Sequence, residues 1–122
     1  MLSVTDREFQ HLINQALNEL PKEHVDHIRN VAIVYADEPT AEQREQLALR
    51  DDETLFGLYE GVPLAFRQGE TRLLPDKITI FKNPICRIAT DKPQLREEIK
   101  HTLWHEIAHY YGLNHDQIRH LE

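Results

Sequence analysis

The C-terminal part of the chain contains histidine and carboxylate residues whose spacing suits metal binding. His105 and His109 are four residues apart in the segment HEIAHYYGLNHD. On an α-helix this separation places both imidazoles on one face, one turn apart, where they can bind the same ion. Glu106 follows about 100° around the helix from His105, so its carboxylate can contact a water molecule at the ion without binding the ion itself. The pattern predicts a metal site with a general base beside it.

A third ligand is expected from the residues that follow the helix. Gly112 can adopt a positive φ and turn the chain sharply, which would bring His115 back toward the other two histidines. Three protein ligands leave one position of a tetrahedral zinc ion open, as in catalytic rather than structural sites. Asp116 is the alternative third ligand, or it orients a ligating histidine by a hydrogen bond.

The extended motif, HExxH followed by Gly112 and His115, is far more specific than HExxH alone. With this sequence's own composition, HExxH should occur by chance in roughly one shuffled chain in twenty, whereas the added Gly112 and His115 reduce chance to on the order of one in ten thousand. The competing interpretation is a solvent-exposed histidine pair on an amphipathic helix that ends at an ordinary capping glycine. The rarity of the full pattern favours the metal site.

The other histidines are expected at the surface. His101 continues the row of His105 and His109, but it lies about 12 Å from His109 along the helix axis, too far to complete a compact tetrahedral site. The remaining four are not accompanied by a suitable carboxylate arrangement: His11, His24, His27 and His120.

The elements that position this motif begin with an N-terminal helix. Thr5 and Glu8 in TDRE form a possible capping box, and apolar residues recur at helical spacing from Phe9 to Leu20. Pro21 ends the helix. The following elements are a short amphipathic stretch at residues 24–28, a strand in NVAIVYADEP, a helix from 40 to about 49, and strands at 55–59 and 77–81, the last two separated by a long loop.

A long C-terminal helix carries the metal-binding motif. Asp91 is its predicted N-cap, Pro93 lies in its first turn and Gly112 ends it. A last short helix is expected from about residue 114 to the C-terminus. The order predicts an α+β domain with a small mixed sheet, an N-terminal helix and this long helix. The apolar stripe of the long helix comprises Leu95, Ile99, Leu103 and Ile107.

Composition limits the class of protein. A length of 122 residues predicts one domain covering 1–122, and the net charge of −7 disfavours nucleic acid as a partner. The single cysteine, Cys86, excludes an intramolecular disulfide and a cysteine-rich zinc site. The N-terminus becomes charged at once and no run of 18 apolar residues occurs, so we expect a cytoplasmic protein without a membrane segment.

The motif HEIAHYYGLNHD resembles the HExxHxxGxxH signature of metzincin zinc peptidases. By this resemblance His105, His109 and His115 correspond to the zinc ligands and Glu106 to the general base. Metzincins also have a methionine turn downstream of the third ligand, whereas the only methionine in this chain is Met1.

A closer resemblance covers nearly the whole chain. The sequence is similar to a family of small, minimal zincin-like metallopeptidases, whose pattern includes in this order an N-terminal helix ending in ELP, then NVAIVYADEP, GLYEGVPL, LPDKITIFKNPI and HEIAHYYG. The resemblance implies a compact zincin-like α+β fold with a bound Zn²⁺. Members of this family often have aspartate at the position of His115.

The expected function is therefore zinc-dependent hydrolysis of a peptide bond by Glu106-assisted attack of zinc-bound water. The partner is then a peptide or protein substrate, and the segment LFGLYEGV either offers it a strand edge or is an ordinary strand covered by the following loop. Tyr59, Tyr110 and Tyr111 are candidates for stabilising the tetrahedral intermediate, although tyrosines beside such a helix are more often packed in the core.

Two other functions remain open. The domain could hold zinc for stability and bind a peptide or protein without cleaving it. Metal-dependent endonucleases of ribosomal RNA maturation have a similar His-x3-His-x5-His spacing, but Glu106 and the acidic net charge argue against an RNA hydrolase. Nothing in the sequence determines the oligomeric state.

Overall fold

A computed structural model describes residues 1–25, 28, 31–50, 55–61 and 76–112. Within these residues the structure is α+β, as the sequence predicts. In chain order they are α1 Asp6–Glu19, α2 Lys22–Val25, β1 Val31–Ala36, α3 Ala41–Gln46, β2 Gly57–Glu60, β3 Asp76–Phe81, α4 Lys82–Ile88 and α5 Lys92–Tyr110. Most of the loop predicted between the strands at 55–59 and 77–81, namely residues 62–75, lies outside the described residues, as does the predicted last helix from residue 114.

The described strands form a mixed sheet in the order β1-β3-β2. β1 is parallel to β3, with Ile33 opposite Ile78, and β2 is antiparallel to β3, with Tyr59 opposite the same residue. Every residue of β3 except Lys77 is buried, as expected for a central strand covered on both faces. β2 therefore lies at an edge of the described sheet, next to α5.

The N-termini of α1, α3 and α5 are capped by side chains, whereas α4 has no side-chain cap. Thr5 accepts a hydrogen bond of 3.1 Å from the amide of Glu8, while the Glu8 carboxylate pairs with Lys92 of α5 at 3.0 Å. A reciprocal capping box is instead present at the start of α3, where Thr40 and Gln43 each bind the other's backbone amide. α3 is shorter than predicted and ends at Gln46.

α5 begins and ends as the sequence predicts. The Asp91 side chain accepts a hydrogen bond of 2.8 Å from the amide of Gln94, and Pro93 lies in the first turn. At the other end Gly112 has a φ of 85° and donates a hydrogen bond of 2.9 Å to the carbonyl of His109. The predicted apolar stripe, Leu95, Ile99, Leu103 and Ile107, is fully buried.

α4 was not predicted from the sequence. It follows β3 without a loop and contains Pro84 in its first turn, where the missing N–H leaves no helical hydrogen bond unmade. Ile85 and Cys86 are separated from the apolar run of β3 by Lys82, Asn83 and Pro84, which resemble a turn, and the helix is too short to show a helical period in the sequence. Ile85 and Cys86 are both buried in the core.

α5 is covered on more than one side. It contacts α1 and α4 as well as β2 and β3, so its buried surface is wider than the predicted stripe. Thr102 and Glu106 face β2 and are 6% and 7% exposed. This packing buries Glu106, the carboxylate of the motif, in the interior. None of the described helices has the length and apolar character that crossing a membrane requires.

Candidate metal centre

His105 and His109 lie side by side near the end of α5, as their spacing predicts. Both are half-buried, and their ring centroids are 4.8 Å apart with an angle of 79° between the ring planes. Glu106 completes the group: one possible ligand atom from each of the three residues lies within 4.8 Å of the others.

The donor set fits a zinc ion. Imidazole nitrogens and carboxylate oxygens bind zinc at about 2.0 to 2.2 Å, so ligand atoms around one ion lie within about 4 Å of one another. The observed limit of 4.8 Å is slightly wider than this, so a small rotation of the side chains allows His105 and His109 to bind one ion with the Glu106 carboxylate beside it. The residues present are those that such a site requires from a single helix.

Glu106 is held from the sheet side. Its Oε1 accepts a hydrogen bond of 2.9 Å from the backbone amide of Tyr59 in β2. Burial raises the pKa of Glu106 from the ordinary value of 4.5 to about 7, an increase that the Tyr59 hydrogen bond partly opposes. A carboxyl group with a pKa near 7 can both accept and release a proton at neutral pH, which suits a general acid and base.

A groove of about 310 Å³ opens beside this group. It lies between β2 with its preceding residues and α5, and its lining includes Phe56, Gly57, Thr102, His105 and Glu106. The groove makes the site accessible to a ligand while Glu106 stays largely excluded from water.

His101 is exposed, as expected, and it lines this groove together with a second one of about 370 Å³. The second groove extends along α5 to Trp104, whose ring lies 4.9 Å from the ring of His24. His24 is therefore partly covered rather than simply solvated, and His11 is exposed.

The three tyrosines considered from the sequence are packed or engaged in hydrogen bonds. Tyr110 is fully buried between the rings of Tyr59 and Tyr111. The Tyr59 hydroxyl donates to Asp76 and the Tyr111 hydroxyl donates to the carbonyl of His24. The geometry therefore favours core packing of these tyrosines over a role in stabilising the tetrahedral intermediate.

The third ligand remains a prediction, because His115 and Asp116 lie outside the described residues, as do His27 and His120. The positive φ of Gly112 confirms the predicted sharp turn at the end of α5. That turn is the conformation on which the expected return of His115 depends.

Sequence reasoning missed the backbone amide of Tyr59 as part of the site. Every residue has such an amide, so its role has no signature in side-chain chemistry. The contact joins residues 47 positions apart and depends on where β2 packs against α5.

One comparison with known proteins identifies a family. The sequence model of the protein family described as zincin-like metallopeptidases matches residues 28–122 of this chain. The chain therefore belongs to the zincin-like metallopeptidase family. A search of curated proteins gives no significant match. Membership of the family indicates a bound metal, typically zinc, for which the group of His105, Glu106 and His109 is suited.

Proposed function

We propose that this protein is a zinc-dependent peptidase that hydrolyses peptide bonds in the groove between β2 and α5. The observation that carries the proposal is the placement of Glu106. A carboxyl group that is 7% exposed, with a pKa near 7, lies directly beside two histidines that can share one ion. Burial of an ionisable carboxyl group is unfavourable for folding, and groups with such strongly shifted pKa values are concentrated at functional sites.

The ion would be held by His105, His109 and a third ligand after the turn at Gly112. His115 is the proposed third ligand, with Asp116 as the alternative. A bound zinc ion would supply Lewis acidity that polarises a substrate carbonyl and makes water more acidic. Glu106 lies in the same turn of helix as His105, so a proton acceptor is available beside the two histidine ligands.

Glu106 is proposed to move the proton. One carboxylate oxygen, Oε1, is held by the Tyr59 amide, so the orientation of the group is set before a substrate binds. The other oxygen can accept a proton from the attacking water and pass it to the nitrogen of the leaving amine. A group that is already oriented avoids part of the entropic cost of reaching the transition state.

The substrate is proposed to be a peptide or protein segment. β2 is an edge strand of the described sheet and borders the groove, so an extended peptide can lie beside it. The Tyr59 N–H is already bonded to Glu106, so a peptide would have to use other backbone groups of this edge.

The test compares wild-type protein with Glu106→Gln in an unbiased peptide-cleavage screen, with structured RNA as a parallel substrate. We expect the variant to retain one zinc ion per chain and to lose about 10² to 10⁴-fold in cleavage rate. Glu45→Gln, on the exposed surface of α3, is the matched control and should cleave like wild type. Zinc-loaded wild type that cleaves no peptide, or cleaves only RNA, would contradict the proposal.

The third ligand is tested by His115→Ala beside Asp116→Ala. If His115 binds the ion, its removal lowers zinc affinity by more than about 100-fold, since loss of a group that merely orients a ligand already costs about 10 to 100-fold. Asp116→Ala should then have the smaller effect. The reverse order would assign the aspartate as ligand.

A further inference from the structure

Gly57 lies where β2 and α5 approach each other closely. A Cβ atom at this position would be 2.6 Å from Cγ2 of Thr102, and 3.3 Å from both Cγ of Glu106 and the carbonyl oxygen of Thr79. Carbon atoms in favourable contact are about 3.5 to 4.0 Å apart. Any larger residue at position 57 therefore requires the strand, the helix or the Thr102 side chain to move.

Thr102 is not free to turn aside. Its Oγ1 donates a hydrogen bond of 2.8 Å to the carbonyl of Glu98 one turn earlier in α5. This bond selects the rotamer of a β-branched side chain, whose χ1 is already restricted in a helix. The methyl group of Thr102 is consequently a fixed obstacle, and relief of the contact has to come from separation of β2 from α5.

That separation would break the contact that holds Glu106. Moving β2 away from α5 by about 1 Å brings the added Cβ to an ordinary distance from Thr102. The same movement lengthens the 2.9 Å bond from the Tyr59 amide to Glu106 beyond the 3.6 Å at which it ceases to be a hydrogen bond. Tyr59 is two residues from Gly57 on the same short strand, so the two positions move together.

We propose that Gly57 is a positioning residue for the site: the absence of a side chain lets β2 approach α5 closely enough for the Tyr59 amide to orient Glu106. The catalytic role of Gly57 rests on the proposed peptidase function, whereas its role in the approach of β2 to α5 does not. The signal in the sequence is a single glycine inside a strand pattern, which often marks a close approach of backbone to another group.

The experiment uses three full-length variants: Gly57→Ala, Thr102→Ser and the double variant. Thr102→Ser removes the obstructing methyl group but keeps a hydroxyl for the Glu98 carbonyl, so it serves as the control and as the rescuing change. Each protein is measured for hydrogen exchange of the Tyr59 amide by NMR, for zinc content, and for kcat and KM with a peptide that wild type cleaves.

We expect Gly57→Ala to accelerate exchange of the Tyr59 amide and to lower kcat by up to about 100-fold, the cost of a 1 Å misplacement of a catalytic group. Zinc content should stay near the wild-type value, since both histidines are on α5, and the change in KM should be smaller than the change in kcat. Thr102→Ser alone should keep the Tyr59 amide as protected as in wild type. The double variant should recover most of this protection, and its kcat should approach that of Thr102→Ser, the background against which it is compared.

Unchanged protection of the Tyr59 amide in Gly57→Ala would overturn the inference, and so would failure of Thr102→Ser to restore it. If Gly57→Ala does not fold, the double variant decides, because it folds only if the Thr102 methyl group is the obstacle. If no form of the protein cleaves peptides, the proposed function fails, but the exchange measurements still test the role of Gly57.

Discussion

The backbone amide of Tyr59 donates a hydrogen bond of 2.9 Å to Oε1 of Glu106. The bond connects an edge strand to the helix that carries both histidines, across 47 positions of the chain. It orients the carboxyl group of Glu106. Burial favours the neutral form of this group, and the hydrogen bond partly opposes that effect. The sheet therefore contributes to the candidate site through its backbone.

The raised pKa of Glu106 predicts a pH-dependent stability of the metal-free protein. Between its ordinary pKa of 4.5 and the folded value of about 7, the folded state binds more protons than the unfolded state. Stability from this group is therefore present below pH 4.5 and is lost as the pH rises toward 7. Its full loss corresponds to roughly 3 kcal/mol.

Urea unfolding of wild type and Glu106→Gln in the presence of a chelator measures this effect. Glutamine retains an oxygen for the Tyr59 amide but cannot ionise, so the variant should match wild type near pH 4.5 and be the more stable protein at pH 8. A stability difference that stays constant over this range would show that Glu106 does not titrate as inferred.

Replacement of the helix histidines should abolish zinc binding. His105→Ala removes a donor from the group, and we expect zinc affinity to fall by more than about 100-fold, with His109→Ala similar. His101→Ala is the matched control on the same helix and should retain one zinc ion per chain. Elemental analysis after dialysis gives the result. Equal loss of zinc in His101→Ala would mean that the site lies one turn earlier than proposed.

Gly112 should be intolerant of a Cβ atom. Its φ of 85° lies in the region that favours glycine, so Gly112→Ala should lower the free energy of unfolding by about 1 to 2 kcal/mol. Gly112→Asn should cost less, because asparagine tolerates this conformation better. Urea unfolding of both variants measures the difference. Equal stability of Gly112→Ala and wild type would show that the turn after α5 does not depend on glycine.

The tyrosine hydroxyls are expected to act in structure and not in catalysis. Tyr59→Phe removes a donor to the buried Asp76 and should destabilise the protein by about 1 to 3 kcal/mol. Its cleavage rate should stay within a few-fold of wild type, because the Tyr59 backbone amide remains. Tyr35→Phe, at a half-buried position of β1, controls for loss of a hydroxyl. A 100-fold lower kcat in zinc-loaded Tyr59→Phe would instead assign the hydroxyl to the transition state.

Local patterns in the sequence were sufficient for α5 and for its histidines. Asp91 caps the helix, the apolar stripe is buried, and His105 and His109 share a face because four residues span about one turn. The positive φ of Gly112 also follows from a local property, the lack of a side chain. Each of these predictions depends only on residues close together in the chain.

Predictions were weaker for the short helices. α4 was missed because its seven residues are too few to show a helical period, and because Lys82, Asn83 and Pro84 after β3 resemble a turn. α3 was predicted too long, because residues that favour helices continue beyond Gln46, whereas Leu47 is exposed and Ala48 has a positive φ.

The sequence by itself determined which residues could bind a metal, since side-chain type and helical period decide that chemistry. Only the tertiary structure decided the environment and the pKa of Glu106. Its burial, its raised pKa and its bond to Tyr59 all arise where an edge strand packs on α5, at a glycine that permits the approach. Such contacts join distant parts of the chain, and their distances depend on how every intervening element packs.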